Sequence, residues 1–456
     1  MLCPASEVYY RKSVQSTILK LLIMNSLETY RQPDTGNYPA ELLNGIVSKR
    51  ANNLSEKGKG LFEEGEVILN FLAITKGGGL QNSLSFLETL AEMDTGVESF
   101  VAVVQEGSEL ENRVESLGMK YHSVSQGRYS RLWFELRVRR YFRRGQVCFS
   151  IFGLPWLGSR GYLVNICGFA YSNLLYPELA FWSYLVGFKR LSKELIDWFR
   201  RWGVTGADYW IFESEVLRQR AVNLAGFPAN RTGVVRMAAS HLVSTSSIQD
   251  QDDSWNLDDR CFKFLFLHGG HPNKRQHLLP AIVEDMSKKE CRRFKVILTM
   301  DESSDYGRKV MEEFKERGLC RFVVNIGPVN PDRVASLIDK VDCMCSFSRL
   351  ESFSNNYVEA WQKSKPLVVG DGDWARDCCG EGALYVTIEN TEETVRDLLS
   401  VMNLESLRKK LISGGKRMLT RHPDASEKTC RYFEKIVNAT SLGSCSAVER
   451  RKIKWP

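Results

Sequence analysis

Short apolar runs alternate with helix-length segments along two stretches of the chain, and this alternation constrains the fold more than any other feature. In the first stretch the runs cover residues 67–73, 97–104, 146–152, 161–167, 209–213 and 232–237. In the second stretch they cover residues 261–267, 294–299, 322–326, 341–347, 366–370 and 384–387. Apolar runs of strand length separated by helical segments are typical of a parallel sheet covered by helices. The sequence therefore predicts two α/β domains.

Changes in composition around these stretches predict the domain boundaries. Residues 1–64 are polar and irregular, which predicts an N-terminal extension outside the domains, and residues 65–245 form the first predicted domain. Residues 246–260 carry five aspartates against one arginine and predict an acidic linker. The second predicted domain covers residues 261–425, and residues 426–456 are predicted to form a C-terminal helix and tail.

Composition and charge argue against several classes of protein. A net charge of +7 over 456 residues is too small to predict a nucleic-acid partner. Twelve cysteines without a CxxC pair indicate reduced, mostly buried thiols of a cytoplasmic protein. The N-terminus lacks a convincing signal peptide, and polar residues interrupt the weakly charged residues 161–188. No membrane-spanning helix is therefore predicted.

Two glutamates stand eight positions apart across a predicted strand-to-helix turn. Glu351 falls in the turn after the apolar run 341–347, and Glu359 falls just over one turn into the helix that follows. Ser354 is suited to cap that helix. The backbone N–H groups expected to be unpaired at the helix start are those of Asn355, Asn356 and Tyr357. Because the helix dipole favours an anion at this end, the segment predicts a phosphate site flanked by two carboxylates.

A basic turn follows the first apolar run of the second stretch. Its sequence is Leu267-His268-Gly269-Gly270-His271-Pro272-Asn273-Lys274-Arg275. Open α/β sheets bind ligands at the carboxyl ends of their strands, which is where this turn is expected to lie. Lys274 is therefore a candidate for binding a phosphate group, and either Arg275 or His271 is a candidate for a second positive charge.

Several segments of the second stretch are similar to those of one enzyme family. They are Glu351-Ser352-Phe353-Ser354, Glu359-Ala360-Trp361, Ser364-Lys365-Pro366-Leu367-Val368-Val369-Gly370-Asp371 and Gly382-Ala383-Leu384-Tyr385-Val386. Together with the two α/β domains, they resemble the GT-B retaining glycosyltransferases of family four, which are glycosyl transferases of group 1. The resemblance is strongest over residues 264–390. Residues 66–238 resemble, more loosely, transferases that build bacterial surface polysaccharide.

The resemblance implies a GT-B fold, in which two Rossmann-like domains face each other across a cleft that binds a nucleotide-diphosphate sugar. It implies that Glu359 binds the ribose hydroxyls, that Glu351 contacts the transferred sugar, and that Lys274 binds the phosphates. A carboxylate suits a vicinal diol because it accepts two hydrogen bonds in a fixed geometry. The implied reaction is retaining and metal-independent, and it uses no cofactor besides the nucleotide-sugar co-substrate.

The chain also departs from the family pattern. Gly269 stands where the family commonly has an arginine, so the source of a second positive charge stays open. Ser352 and Ser354 replace glycines and are expected to narrow the donor pocket. The family often has a histidine at the place of residues 168–170, and this chain has none there. No catalytic base is therefore predicted.

Three glycines follow the first apolar run. Gly77, Gly78 and Gly79 predict a flexible loop. By the resemblance, this loop faces the cleft, where its backbone approaches the donor phosphate or the acceptor. The spacing is not GxGxxG, and no acidic residue follows at the distance that a dinucleotide ribose requires. The glycines therefore give little support to a dinucleotide-binding oxidoreductase.

Two groups of residues have patterns that resemble metal sites. His268, His271 and His277 have no cysteine or acidic residue close by in the sequence. Asp371 and Asp373 form a DxD pattern, but they fall in the turn that closes a predicted strand. Neither group predicts a metal ion.

Residues 128–144 hold seven arginines against one glutamate. Drawn as a helix from Arg131, the segment puts on one stripe Phe134, Val138, Tyr141 and Phe142. The opposite arc carries Arg139, Arg140, Arg143 and Arg144. A basic face of this kind predicts attachment to an anionic membrane surface. Residues 182–202, which mix aromatic and basic side chains, are a second candidate for that contact.

These features predict a retaining glycosyltransferase. It moves a sugar from a nucleotide-diphosphate sugar to a lipid-linked or polysaccharide acceptor in the synthesis of a surface glycan of the O-antigen or capsule type. Its predicted location is cytoplasmic and peripheral, on the inner face of the cell membrane. Two alternatives stay open: a GT-B enzyme with a soluble acceptor, and a catalytically inactive GT-B module that serves as a binding or scaffold subunit. A Rossmann oxidoreductase is a more distant alternative.

Overall fold

Two parallel sheets with flanking helices make up the described part of the chain. The computed structural model describes residues 67–75, 77–93, 97–238, 255, 257, 260–289, 293–330 and 333–455. The predicted extension 1–64 and most of the predicted linker 246–260 lie outside the described residues.

The first sheet has seven strands. They are β1 (Val67–Asn70), β2 (Phe100–Gln105), β3 (Lys120–Val124), β4 (Val147–Ser150), β5 (Val164–Gly168), β6 (Tyr209–Phe212) and β7 (Thr232–Val234). Their order is β3-β2-β1-β4-β5-β6-β7, and every pairing is parallel. β1, β4, β5 and β6 are buried along their whole length, as expected of a parallel sheet covered on both faces.

The second sheet has six strands. They are β8 (Phe262–Phe266), β9 (Phe294–Leu298), β10 (Val323–Asn325), β11 (Cys343–Ser346), β12 (Leu367–Gly370) and β13 (Leu384–Val386). Their order is β10-β9-β8-β11-β12-β13, again with parallel pairings. The carboxyl ends of β8 and β11 lie side by side, so the basic turn after β8 and the turn that holds Glu351 are neighbours. The predicted pair of α/β domains is confirmed.

Each predicted apolar run overlaps a strand that is shorter than the run, and β2 and β5 each end one residue beyond their runs. The sequence missed β3. Lys120 and Ser123 on this strand are exposed, and β3 pairs only with β2 at the edge of the sheet. An edge strand in contact with solvent does not need the continuous apolar pattern by which buried strands are recognised.

Fourteen α-helices connect and cover the strands within the described residues. They are α1 (Gly77–Glu92), α2 (Glu109–Ser116), α3 (Arg128–Arg137), α4 (Gly187–Val204), α5 (Glu215–Asn223), α6 (Leu279–Lys289), α7 (Asp305–Glu316), α8 (Val334–Asp339), α9 (Asn355–Gln362), α10 (Asp373–Cys379), α11 (Thr391–Asn403), α12 (Glu405–Leu419), α13 (Ala425–Leu442) and α14 (Ala447–Arg451). The C-terminal helix predicted within residues 426–456 is present as α13, which begins one residue earlier, at Ala425.

The arginine-rich segment 128–144 is not one continuous α-helix. α3 ends at Arg137, and Val138–Arg140 form a 3-10 turn. The predicted apolar stripe still faces the interior, because Phe134, Val138 and Phe142 are buried. Ring contacts with Trp156 hold the stripe in place, at centroid distances of 5.2 Å from Phe134 and 5.7 Å from Phe142.

The C-terminal helix α13 returns to the first domain. Tyr432, Phe433 and Ile436 belong to the apolar core around the first sheet. Phe433 stacks on Phe100 of β2 at a centroid distance of 5.7 Å, and Tyr432 lies 5.2 Å from Phe149 of β4. The chain therefore crosses between the domains a second time, which ties the second domain to the first at both of its ends.

Direct contacts join the two domains along one side of the cleft. Tyr176 Oη donates a hydrogen bond to Asp373 at 2.8 Å, and Arg220 is ion-paired with the same carboxylate at 3.3 Å. At the start of α9, Asn355 Nδ2 donates to Gln81 Oε1 at 3.2 Å. These contacts place the ends of α1 and α9 opposite each other.

Most of the described cysteines are buried, and none of them is in a disulfide. In the same part of the chain, no helix is both long enough and apolar enough to span a membrane.

Candidate active site

A cavity of about 720 Å³ opens between the two domains. The second domain contributes Asn273, Lys274, Leu350, Glu351, Ser352, Phe353, Ser354, Asn355 and Asn356. The first domain contributes residues from α1 and from the segments that follow β1, β4, β5 and β6: Ala73, Ile74, Thr75, Gly78, Gly79, Gln81, Asn82, Phe152, Gly153, Ala170, Tyr171, Ser172, Asn173, Phe181 and Glu213. The carboxyl ends of strands from both sheets therefore converge on one space, where ligands bind in folds of this class.

Lys274 and Glu351 form an ion pair inside this cavity. Lys274 ends the 3-10 turn Pro272–Lys274 after β8, and Glu351 lies in the turn between β11 and α9. Asn273 joins the two turns, since its Nδ2 donates to Leu350 O at 2.9 Å and its carbonyl accepts from Arg349 N at 2.8 Å. Lys274 and Glu351, which the sequence predicts as separate candidates, are thus held together.

The start of α9 faces the same cavity. Ser354 occupies the N-cap position, as expected, but its side chain accepts no capping hydrogen bond. The prediction of an unpaired N–H was wrong for Tyr357, whose N–H donates to Ser354 O at 3.1 Å. Within the described residues, no partner is seen for the N–H groups of Asn355 and Asn356. The Asn356 side chain is fixed, because its Nδ2 donates to Leu267 O at 2.8 Å.

A second cavity of about 340 Å³ adjoins the first. The two cavities share Gly78, Gln81, Asn355 and Asn356. The rest of the second cavity is lined by Gly77, Leu267, His268, Gly269, Thr299, Asp301, Pro328, Val329, Val334 and Glu359. The start of α9 therefore lies between two adjoining cavities.

Glu359 is a buried carboxylate without a partner. Its side chain is 4% exposed, and among the described residues it has no hydrogen bond or ion pair. Burial raises the pKa of Glu359 to about 7. A buried charge is costly unless it is paired. Because Glu359 lines the second cavity, it is placed to receive hydrogen-bond donors from a ligand there.

The glycine-loop prediction was wrong in one respect. Gly77, Gly78 and Gly79 form the first turn of α1 and are not a loop. Asn82 Nδ2 and Ser83 Oγ hold this turn by donating to the carbonyls of Gly78 and Gly79, at 2.8 and 2.9 Å. The turn still borders both cavities, and open space lies where a Cβ on Gly77 or Gly78 would project.

The structure does not bring Arg275 into the cleft. Its backbone is left-handed, with φ of 55°, and its guanidinium is ion-paired with Glu389 at 2.7 Å. Arg275 lines neither cavity. His271 is exposed, and its Nδ1 accepts from Asn273 N at 3.1 Å. Lys274 is thus the basic residue that lines the larger cavity.

The residues whose pattern resembles a metal site have hydrogen-bond or ion-pair partners within the protein. His277 Nδ1 lies 3.0 Å from Tyr306 Oη, and His268 Nδ1 lies 3.1 Å from Asn356 Nδ2. Asp371 is ion-paired with Arg376 at 2.6 Å. In the part of the chain that the structure describes, no group of three or more His, Cys, Asp or Glu side chains could hold a metal ion.

Apart from the glycines at the start of α1, the residues that the first domain contributes to the cleft were not predicted. Glu213 is the most informative of them, because it brings a second carboxylate into the cavity of Glu351. A signal was present, since Glu213 is a charged residue at the end of the apolar run 209–213. A charge at the carboxyl end of a buried parallel strand lies at the edge where ligands bind.

The predicted basic surface lies apart from the cavities. Arg139, Arg140 and Arg144 are exposed, and Arg143 is half-buried. Arg139 Nε donates to Gly158 O at 3.3 Å, which places the cluster beside the 3-10 turn Leu157–Ser159.

The chain is similar to known proteins in its fold and, over its second domain, in its sequence. Residues 247–418 match the family model described as Glycosyl transferases group 1. HepE from Anabaena, solved in complex with UDP and glucose, has a TM-score of 0.60 at 14% identity, with 81% of this chain and 98% of that chain covered. The sucrose-phosphate synthase from Thermosynechococcus elongatus has a TM-score of 0.62 at 13% identity, with 81% and 97% covered. The lipopolysaccharide outer core galactosyltransferase WaaB, in its apo form, has a TM-score of 0.55 at 13% identity, with 82% and 99% covered.

No curated protein matches this sequence. At such low identities the structural likeness establishes the fold, which is GT-B as predicted. The fold and the match over the second domain together support the group 1 GT-B family.

Proposed function

We propose that this chain, a GT-B protein whose second domain matches the group 1 glycosyl transferases, is a retaining, metal-independent glycosyltransferase that uses a nucleotide-diphosphate sugar. The single observation that carries the proposal is the unpaired, buried carboxylate of Glu359 beside the start of α9. A ribose has two adjacent hydroxyl groups, and these can donate the hydrogen bonds that the Glu359 carboxylate lacks. The UDP and glucose present in the HepE structure make the same kind of ligand plausible here.

The remaining groups of the cleft match the parts of that ligand. With the ribose on Glu359, the diphosphate lies at the start of α9, where the N–H groups of Asn355 and Asn356 and the helix dipole attract negative charge. Lys274 then neutralises the charge that grows on the leaving diphosphate. Glu351 faces the transferred sugar from the same cavity. In a retaining transfer the leaving phosphate and the acceptor occupy the same face of that sugar, so both belong in the larger cavity.

Donor binding is expected to raise the melting temperature of the protein. Anything that binds only the folded state stabilises it, by about 2.7 kcal/mol at a concentration 100-fold above Kd. A thermal-shift screen with UDP-, GDP- and CDP-sugars measures this and identifies the base. If none of these nucleotide sugars raises the melting temperature or is turned over, the proposed function is wrong. That result would favour the catalytically inactive binding or scaffold module.

We further propose that the acceptor is lipid-linked, and that the first domain rests on an anionic membrane through α4. This helix buries only Asp197 and Val204. Its apolar side chains face solvent, between 47% and 83% exposed: Phe188, Leu191, Leu195, Trp198, Phe199 and Trp202. Basic residues on the same helix include Lys189, Arg190 and Lys193. An amphipathic helix with this composition is typical of binding at a lipid interface.

The predicted arginine cluster lies next to this apolar face. The Arg160 guanidinium lies 4.9 Å from the centroid of the Trp202 ring and donates to Trp202 O at 3.2 Å. Arg160 directly follows the turn Leu157–Ser159, where Arg139 binds. The excess of positive charge favours an anionic bilayer over a second copy of this chain as the occupant, because like charges repel.

The cleft also reaches α4. A polar cavity of about 410 Å³ is lined by residues of this helix, among them Arg190, Glu194 and Arg201. It shares Asn173 and Phe181 with the larger cavity of the cleft. A saccharide whose lipid anchor lies in the membrane beneath α4 can therefore reach the transfer site without leaving the surface. The alternative is a soluble acceptor, which would not need a cavity that leads to α4.

Removing the apolar face of α4 is expected to release the protein from membranes. Burying one large apolar side chain contributes about 1.5–3 kcal/mol, so Phe188→Ser with Trp198→Ser should weaken binding by at least about 100-fold. Co-sedimentation with vesicles of phosphatidylcholine and phosphatidylglycerol measures the effect.

Charge variants test the electrostatic contribution to membrane binding. Changing Arg139, Arg140, Arg143 and Arg144 together to glutamate should also weaken sedimentation, and more so at low salt. Changing the exposed Lys409 and Lys410 of the second domain to glutamate is the control and should have little effect. Sedimentation that is unchanged in both the apolar and the arginine variants would refute membrane attachment.

A further inference from the structure

One face of α4 lines the polar cavity of about 410 Å³ that adjoins the larger cavity of the cleft. The helix contributes four polar residues, spaced four, three and four positions apart: Arg190, Glu194, Asp197 and Arg201. This spacing puts them on a single polar face, about a third of a turn around the helix from its exposed apolar face. The same helix therefore borders the cavity and carries the proposed membrane contact.

Asp197 is the buried carboxylate of the polar face, and its hydrogen bonds shape the wall of the cavity. Its Oδ2 accepts from Asn173 Nδ2 at 2.7 Å and from Trp182 Nε1 at 2.6 Å. Its Oδ1 accepts from Arg200 at 2.9 Å. Both oxygens are thus occupied by groups of the protein, and the charge of Asp197 is offset by Arg200.

Arg201 is a cation of this cavity without a partner. Among the described residues it forms no ion pair and no hydrogen bond, and its Nε is buried. The other arginine that lines the cavity, Arg190, is ion-paired with Glu194 at 2.8 Å. A buried donor without an acceptor costs free energy, and an anionic ligand removes that cost. The cavity therefore predicts an anion beside Arg201.

The position of Arg201 indicates which part of an acceptor this anion is. The preceding residue, Arg200, lies 5.0 Å from the ring centroid of Tyr171, which lines the larger cavity. The following residue, Trp202, is 47% exposed on the apolar face of α4. Arg201 therefore lies between the space for sugar transfer and the surface proposed to contact the membrane. A planar guanidinium at such a place suits a phosphate group, which it can bind through two parallel hydrogen bonds.

We propose that Arg201 binds the phosphate group that joins the acceptor saccharide to its lipid, an inference that rests on the proposed function. Phe181 and Trp182, whose ring centroids are 4.8 Å apart, give the cavity apolar surface for the sugar next to that phosphate. Phe181 also lines the larger cavity, so the saccharide extends from Arg201 toward the transfer site. Arg201 positions the acceptor in this arrangement and takes no part in the chemical step.

Farnesyl diphosphate is a probe for the lipid phosphate of such an acceptor. The protein is first saturated with the nucleoside diphosphate selected by the thermal-shift screen, so that the donor phosphate site is filled. Isothermal titration should then show that Arg201→Gln weakens the binding of farnesyl diphosphate by about 10- to 100-fold. Arg201→Lys, which keeps the charge but not the planar donor pair, should recover part of the affinity. The Kd of the nucleoside diphosphate should change less than twofold in both variants, which also shows that they are folded.

Two further ligands separate the phosphate from other sources of affinity. Farnesol has the apolar chain without the phosphate, and its binding should not depend on Arg201. Glucuronic acid carries a carboxylate in place of the phosphate and should bind the wild type and Arg201→Gln equally. Arg218→Gln is the matched control, because Arg218 is ion-paired with Glu215 at 2.7 Å and lines none of the three cavities. It should leave the affinity for farnesyl diphosphate unchanged.

The inference is overturned if farnesyl diphosphate fails to bind the wild type, or if it binds Arg201→Gln as tightly as the wild type. It is also overturned if glucuronic acid, and not farnesyl diphosphate, depends on Arg201, because the anion would then belong to an acidic sugar. In each of these cases nucleotide binding stays intact. A protein that binds no nucleotide sugar in the thermal-shift screen would instead refute the proposed function, and the inference with it.

Discussion

Glu359→Gln is expected to weaken nucleotide binding by about 100-fold at pH 8 and, in the absence of ligand, to raise the melting temperature. Hydrogen bonds to a charged acceptor contribute about 1.5–3 kcal/mol each, against about 1 kcal/mol for neutral pairs. Replacing the carboxylate therefore weakens the binding free energy of the two ribose hydroxyls by about 2–3 kcal/mol. This loss corresponds to the expected change in Kd. Isothermal titration with the nucleotide selected by the thermal-shift screen measures it.

The effect on stability follows from the direction of the pKa shift. Burial raises the pKa of Glu359 from 4.5 to about 7. A group whose pKa is raised on folding contributes stability that is fully present below its unfolded pKa and is lost as pH rises through its folded pKa. At pH 8 the wild type carries an unpaired buried charge, and the glutamine variant does not. We expect a melting temperature about 3 °C higher for the variant at pH 8, and a smaller difference at pH 5.

The outcome separates a ligand-binding carboxylate from a structural one. A structural Glu359 would lower stability when replaced and would leave nucleotide affinity intact, which is the opposite of the expected result. Glu381→Gln is the control, because the Glu381 carboxylate is exposed and ion-paired with Arg417 at 2.7 Å. It should change neither the affinity nor the pH dependence of the melting temperature.

The second sheet and the part of the cleft that the second domain lines could be predicted from the sequence. Buried parallel strands require continuous apolar runs, and the run before Glu351 has that pattern because β11 is buried along its whole length. The turn and helix after β11 are local in sequence, so the positions of Glu351 and Glu359 relative to α9 followed from spacing alone. The ion pair of Lys274 with Glu351 did not, since it depends on β8 and β11 being neighbours in the sheet.

The part of the cleft that the first domain lines was harder to predict for physical reasons. Glu213 comes to the cavity from the other domain, and no local pattern relates it to Glu351. The three glycines at the start of α1 were assigned to a loop because glycine is a poor helix former. The hydrogen bonds of Asn82 and Ser83 to that turn offset the weak helix propensity of glycine. Amino-acid composition does not predict such contacts.

Lys274→Met is expected to lower the rate of sugar transfer by about 100- to 1,000-fold. Removing one preorganised group that stabilises developing negative charge typically costs this much. The variant should also lose stability, because Glu351 is left without its partner in a cavity that already holds Glu213. Release of the nucleoside diphosphate and the melting temperature together report the two effects.

The double variant Lys274→Met with Glu351→Gln separates these causes. Neutralising Glu351 removes the unpaired charge, so the melting temperature should return toward that of the wild type. The rate should stay low, because no cation then faces the leaving diphosphate. Arg275→Met, one residue along the chain but ion-paired with Glu389 outside the cavities, should change the rate less than about threefold. If the double variant regained the wild-type rate, Lys274 would be a partner of Glu351 and not of the phosphates, and the donor would have to be held by other groups.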